Sequence, residues 1–386
     1  MVKIKYLAKI LVGKFDWLCQ YIYVKLKIIT FVFSILLIEI SFFLSSFITD
    51  KKAITYKRFK LMSESDFNIY EQNTSALGWP SPKKLEDLRK KNSNSCIDVY
   101  GDSFIYGEFD GLTSNDLWSS HLNKKINCKV GNYGVSGYGN DQVYLHFQKN
   151  IIQYKKNSPV VVFAITSINI QRNLNRFRGL LRGHYLPASK PRFILNDDKL
   201  RLIKKYDLDY KSYRRIFNDS QENCPEFEDM CKVHSYITQK SKFPFSYHIP
   251  KSIFTSTKIK SYLKGFSLHQ YLYKTNYLNS LNIVQRIAKK FYQDLKDNNF
   301  NGVVLLIPTL SDIRFLKKNK KNQFANLISF LKSNNIPFID MTTSILEIMK
   351  INQTVPEKFF APSGHLSKQG HIVLSETIAN FYQKTD

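Results

Sequence analysis

The chain has 386 residues, 43% hydrophobic and 14% aromatic, which suits one large α/β domain with additions, or two modest ones, and excludes global disorder. Its 57 Lys+Arg against 31 Asp+Glu give a formal charge of +26, a balance suited to anionic partners. That charge is spread along the chain without zinc-finger spacing, an RNA-binding aromatic signature or a helix-turn-helix pattern, so no nucleic acid is expected. Five cysteines do not make a disulfide framework at this length. Cys96 and Cys128 each begin a predicted strand, Cys224 and Cys231 lie in a polar region, and the sequence accommodates either disulfides or free thiols.

In chain order, residues 1–27 form a basic tail carrying Lys3, Lys5, Lys9, Lys14, Lys25 and Lys27. Ile28–Ile48 is almost wholly apolar and about 30 Å long as a helix, which predicts one membrane crossing. Glu39 near its middle costs about 2.5–3.5 kcal/mol in lipid. Basic residues flank both ends of the span. The short tail favours an inside N-terminus, placing the main domain outside the cytoplasm, periplasmic or outward-facing. Residues 49–94 read as a stalk or connector holding the apolar knot Leu77-Gly78-Trp79-Pro80.

Beyond it, short apolar runs predict strands at Cys96–Tyr100, Cys128–Asn132, Pro159–Ile165, Gly302–Ile307 and Ile336–Met341, of the kind buried on both faces of a parallel sheet. Helical periodicity covers Asn140–Tyr154, Tyr277–Asn298, Lys320–Ser333 and Ser367–Gln383. The alternation predicts an α/β fold with a doubly wound, mostly parallel five-stranded sheet. Residues 178–276, rich in Tyr, Phe, Lys and Arg, break it and read as an insertion or lid.

Four blocks carry chemistry: Gly101-Asp102-Ser103-Phe104, Asn132-Tyr133-Gly134-Val135-Ser136-Gly137, the strand end with Asn169, and Gly364-His365-Leu366-Ser367. The first three fall at C-terminal strand ends, where open α/β sheets place ligands, and the fourth precedes the last helix. A serine just past a buried strand, at a helix start, has backbone N–H groups for an oxyanion; it needs an imidazole to take its proton. The same serine also fits an ordinary capped helix start. His371 reads as a helix-face residue, and Asp141 and Gln142 as capping residues. The remaining histidines form no metal-ligand spacing, so neither metal nor cofactor is expected.

These blocks resemble the SGNH (GDSL-type) hydrolases, whose serine lies in an N-terminal G-D-S motif. The resemblance spans about 95–386 without the insertion and implies a three-layer α/β/α sandwich. It puts the nucleophile on Ser103 and the base on His365, with Ser103, Gly137 and Asn169 as oxyanion donors; Thr166 and Asn173 are rivals to Asn169. Asn132–Gln142, Lys190-Pro191-Arg192-Phe193 and Leu77–Pro80 resemble a membrane-anchored bacterial subgroup. The family's D-x-x-H acid is absent, because Pro362 stands in its place. Either a carbonyl or other group orients His365, or another carboxylate does, with Asp340 and Glu357 as candidates. The resemblance implies a membrane-anchored serine esterase acting on an acylated carbohydrate, a lipid or a small ester. Two alternatives stay open: O-acyl transfer on a cell-surface glycan, and a tethered binding module with a degenerate site.

Overall fold

The computed structural model describes residues 2–49, 62–152, 159–177, 189–219, 229, 244, 246–247 and 257–384. Helix α1 runs Val2–Thr49 without a break, so the tail predicted as separate is helical with the apolar run. Its window apolar enough to cross a membrane is Gln20–Leu44, with mean hydropathy 2.2. Glu39 is buried against Ser246, whose N–H donates to it at 3.1 Å.

Residues 62–94, read from sequence as connector, pack on the main domain through α2 (Glu64–Gln72) and α3 (Pro82–Lys91). Leu85 joins the core, and Asn92 exchanges hydrogen bonds with the Asn132 backbone. Strand β1 (Ile97–Gly101) leads into α4 (Ser103–Tyr106), and α5 (Trp118–Ile126) follows. Next come β2 (Val130–Gly134), α6 (Asn140–Ile151), β3 (Val160–Thr166) and α7 (Asn169–Arg172). Of the predicted insertion, the described parts are the hairpin β4 (Arg192–Asn196) and β5 (Lys199–Ile203), then α8 (Tyr210–Asp219), α9 (Thr257–Leu263) and α10 (Leu268–Thr275). Cys224 and Cys231 lie outside the described residues. The α10 residues Leu268, Leu272 and Tyr273 sit in the main core. It finishes with α11 (Ser280–Asp297), β6 (Gly302–Ile307), α12 (Leu310–Asn319), α13 (Ala325–Ser333), β7 (Phe338–Asp340), α14 (Met341–Ile351) and α15 (Lys368–Tyr382).

Five strands form one parallel sheet in the order β2-β1-β3-β6-β7. Side chains alternate between two cores. Tyr100, Val161, Phe163, Ile165, Val304 and Leu306 meet α6, α11 and α13 on one face; Val99, Val162, Ala164, Val303 and Leu305 meet α5, α14 and α15 on the other. Burial on both faces is why these strands read as unbroken apolar runs. Cys96 and Cys128, just before β1 and β2, form a disulfide. The chain leaves β1 first to one side, for β2, and then to the other, for β3. This reversal opens a crevice at the strands' C-terminal ends.

Candidate active site

Gly101 ends β1, and Asp102 caps α4 by accepting the Phe104 N–H at 3.0 Å. Ser103 follows, 3% exposed. Because α4 is a single turn, its macrodipole is small, and what it offers is the Ser103 N–H, since the Phe104, Ile105 and Tyr106 N–H groups all donate to Asp102. Gly134 lets β2 close on this turn: a Cβ there would lie 2.1 Å from the Tyr106 nitrogen. On the opposite side, Phe360 bridges to Leu366, and the Ala361 N–H donates to the His365 carbonyl at 2.8 Å. That anchored loop sets His365 Nε2 3.0 Å from Ser103 Oγ.

His365 is held on its other edge and on one face. Its Nδ1 lies 2.9 Å from Ser363 Oγ, and that hydroxyl donates to Asp110. The Phe109 ring stacks on the imidazole, with centroids 3.9 Å apart and planes 4° apart. Pro362 occupies the second position of the Ala361–Gly364 turn, closed by the Gly364 N–H on the Ala361 carbonyl at 2.8 Å. This turn, with Pro362 at the position of the expected acid, carries Ser363 to the Nδ1 edge of the imidazole.

The two carboxylates suggested by sequence for this role are engaged elsewhere. Asp340 caps α14 through the Thr342 N–H at 3.0 Å and accepts from Asn322 at 2.6 Å. Burial pushes its carboxyl up, against those bonds. Glu357 takes Arg314 at 2.8 Å, a pairing that lowers its pKa. The sequence missed Asp110, Ser363 and Phe109. Asp110-Gly111 and Pro362-Ser363-Gly364 were legible as turn signals, but nothing in them showed that the two turns meet.

Among the described residues, the Ser103 and Gly137 N–H groups have no hydrogen-bond partner, and neither has the buried Asn169 Nδ2. They follow β1, β2 and β3 and so flank the crevice. The rivals to Asn169 differ from it. Thr166 Oγ1 is committed to Asp102 at 2.9 Å. Asn173 uses its carbonyl on the Asn140 N–H at 2.9 Å, leaving Nδ2 without a partner.

Other groups are structural. The Asp141 carboxylate pairs with buried Lys190 and accepts the Gln142 N–H at 2.8 Å. Gln142 Oε1 takes the Gly139 N–H at 3.1 Å, ahead of α6. His371 Nδ1 accepts the Trp118 N–H at 3.3 Å, and burial pushes this histidine down to about 4. In the first turn of α12, Asp312 accepts from His269 at 2.9 Å, from the Thr309 N–H at 2.9 Å and from Ser167. Burial alone would raise the Asp312 pKa, but these partners bring it down to about 2.

No protein-family model and no curated protein matches the sequence. Among solved structures, the chain is similar to a lipolytic G-D-S-L family protein from Veillonella parvula, at 12% identity and TM-score 0.38, over 74% of this chain and 97% of that one. It is also similar to a GDSL-like lipase from Bacteroides thetaiotaomicron, at 12% identity and TM-score 0.31, over 84% and 100% of the two chains. A third is a two-domain esterase active on acetylated mannans, at 11% identity and TM-score 0.35, over 82% and 56%. What the chain itself shows is a five-stranded parallel sheet with helices packed on both faces.

Proposed function

We propose that this chain is a membrane-anchored serine ester hydrolase. The observation that carries the reading is the Ser103–His365 contact of 3.0 Å, with the imidazole's far nitrogen held by Ser363 and Asp110. His365 with its proton on Nδ1 leaves Nε2 free to take the Ser103 proton. Ser103 Oγ attacks the ester carbonyl, and the oxyanion is met by the Ser103 and Gly137 N–H groups and Asn169 Nδ2. The alcohol leaves with the proton from His365, and water then releases the acid by the same steps in reverse. Ser363 and Asp110 stabilise the imidazolium in place of the missing acid. The substrate is an acylated carbohydrate, a lipid or a small ester.

The apolar stretch Gln20–Leu44 supports a single-pass anchor. The Cys96–Cys128 disulfide supports an oxidising compartment and so an extracytoplasmic domain. A degenerate binding module would have no use for the serine–histidine contact, which weighs against that alternative. Full-length protein in detergent, given p-nitrophenyl acetate and a fluorophosphonate, is the test. Hydrolysis and label on Ser103, both lost in Ser103→Ala, are expected; activity equal in wild type and Ser103→Ala overturns the reading. Adding an acceptor sugar separates hydrolysis from acyl transfer by its products.

A further inference from the structure

Two of the three oxyanion donors are held from behind by side chains outside the four sequence blocks. The first donor belongs to the Ser136–Gly137 peptide. Val135–Tyr138 form a turn closed by the Tyr138 N–H on the Val135 carbonyl at 3.2 Å, with Gly137 at φ +85° in its third position. That conformation favours glycine and fixes the plane of the Ser136–Gly137 peptide. The Trp79 indole N–H donates to the Ser136 carbonyl at 2.8 Å. In a trans peptide the carbonyl and the N–H point in opposite directions, so the bond that draws the carbonyl toward Trp79 turns the Gly137 N–H away from it.

The second donor is an amide whose orientation is decided by a cation. Arg172 Nη1 lies 2.8 Å from Asn169 Oδ1, 2.8 Å from the Tyr138 carbonyl and 3.0 Å from Asp102 Oδ2. A guanidinium only donates, so the amide atom facing it is the oxygen, and the NH2 group points the other way. Asn169 Nδ2 is accordingly buried with no partner, a donor that costs stability unless something accepts from it. Through Asp102 the same guanidinium is tied to the residue before the nucleophile, and through Tyr138 to the residue after Gly137. Arg172 is 8% exposed and Asp102 is fully buried, so this junction is shielded from solvent.

We propose that Trp79 and Arg172 are positioning residues of the oxyanion hole, Trp79 aiming the Gly137 N–H and Arg172 aiming the Asn169 amide. The inference rests on the serine-hydrolase reading. It assigns the Leu77–Pro80 knot, which the sequence left in a connector, to the catalytic edge of the domain.

The test is a mutant cycle on the full-length protein in detergent, with kcat and KM measured separately on p-nitrophenyl acetate. Asn169→Ala is expected to lower kcat by about 10²–10³-fold with KM nearly unchanged. Arg172→Lys, which keeps the charge for Asp102 but loses the planar fork, is expected to lower kcat by about 10-fold or more alone, and by less than about threefold in the Asn169→Ala background. Should Arg172→Lys fail to fold by circular dichroism, Asp102→Asn/Arg172→Gln, which removes both buried charges, takes its place. Trp79→Phe keeps a smaller aromatic ring there and removes the indole donor; kcat about 10-fold lower with KM within about twofold is expected. An additive arginine–asparagine cycle, or a Trp79→Phe enzyme with wild-type kcat, overturns the proposal while Ser103-dependent hydrolysis stands. Loss of Ser103 dependence in the wild type instead overturns the hydrolase reading, and this one with it.

Discussion

Ser363→Ala isolates what stands behind the histidine. The substitution removes the hydroxyl that sits 2.9 Å from His365 Nδ1 and donates to Asp110. On the proposed mechanism this bond joins two neutral groups before Ser103 reacts. Once Ser103 gives up its proton, the same bond carries an imidazolium, and a bond to a charged group contributes about 1.5–3 kcal/mol. At about 1.4 kcal/mol per decade, its loss lowers kcat by about 10–150-fold. The lower end is expected, since Ser363 and Asp110 are exposed and water can fill the gap. The effect stays below the roughly 10⁴-fold loss when a directly bonded triad acid is disabled. The assay is kcat and KM on p-nitrophenyl acetate, alongside the rate of fluorophosphonate labelling. Both rates fall together while KM holds, and Asp110→Asn falls in the same direction. A Ser363→Ala enzyme within threefold of wild type would mean that the relay does not orient His365.

Other outcomes test the scaffold. Lys190→Met strands the fully buried Asp141 carboxylate, whose burial already pushes its pKa up, and is expected to cost about 3–5 kcal/mol in urea melts. Asp141→Leu/Lys190→Met recovers most of that loss; a single variant as stable as wild type refutes the argument. Replacing Cys96 and Cys128 by alanine opens a loop of sequence separation 32 and lowers stability by about 3–4 kcal/mol on the chain-entropy model, with little change in kcat. Stability also falls with acid. Burial holds His371 at about 4 and His146 at about 3, against 6.5 unfolded, so the unfolded chain takes up protons first. The loss begins as pH drops below about 6.5 and grows down to about 4, by about 3 kcal/mol for His371. His371→Asn flattens that part of the urea-midpoint curve; an unchanged slope rejects the assignment.

The sequence by itself determined the sheet, because strands buried on both faces must be apolar throughout, and short runs such as Val160–Thr166 and Gly302–Ile307 carry that signal locally. It also drew attention to Ser103 at a predicted helix start, while Gly137 and His365 were assigned through the resemblance to the GDSL-type hydrolases. Edges shifted where apolar residues overran the ladder: β2 begins at Val130, not Cys128, because the disulfide occupies its entry. Helix α14 was missed: the predicted strand Ile336–Met341 overran its first residue, and Asp340, capping the Thr342 N–H, ends the strand and begins the helix. Only the tertiary structure decided what supports the histidine. Asp110 and Ser363 are 253 positions apart, and two unremarkable turns meet because Phe109 stacks on the imidazole between them. The same holds for Asn169: its sequence gives an amide, but which end faces the crevice follows from Arg172, held in place by Asp102 across the sheet's topological switch. Strands follow from local burial; the orientation of a polar group follows from partners that folding alone brings within reach.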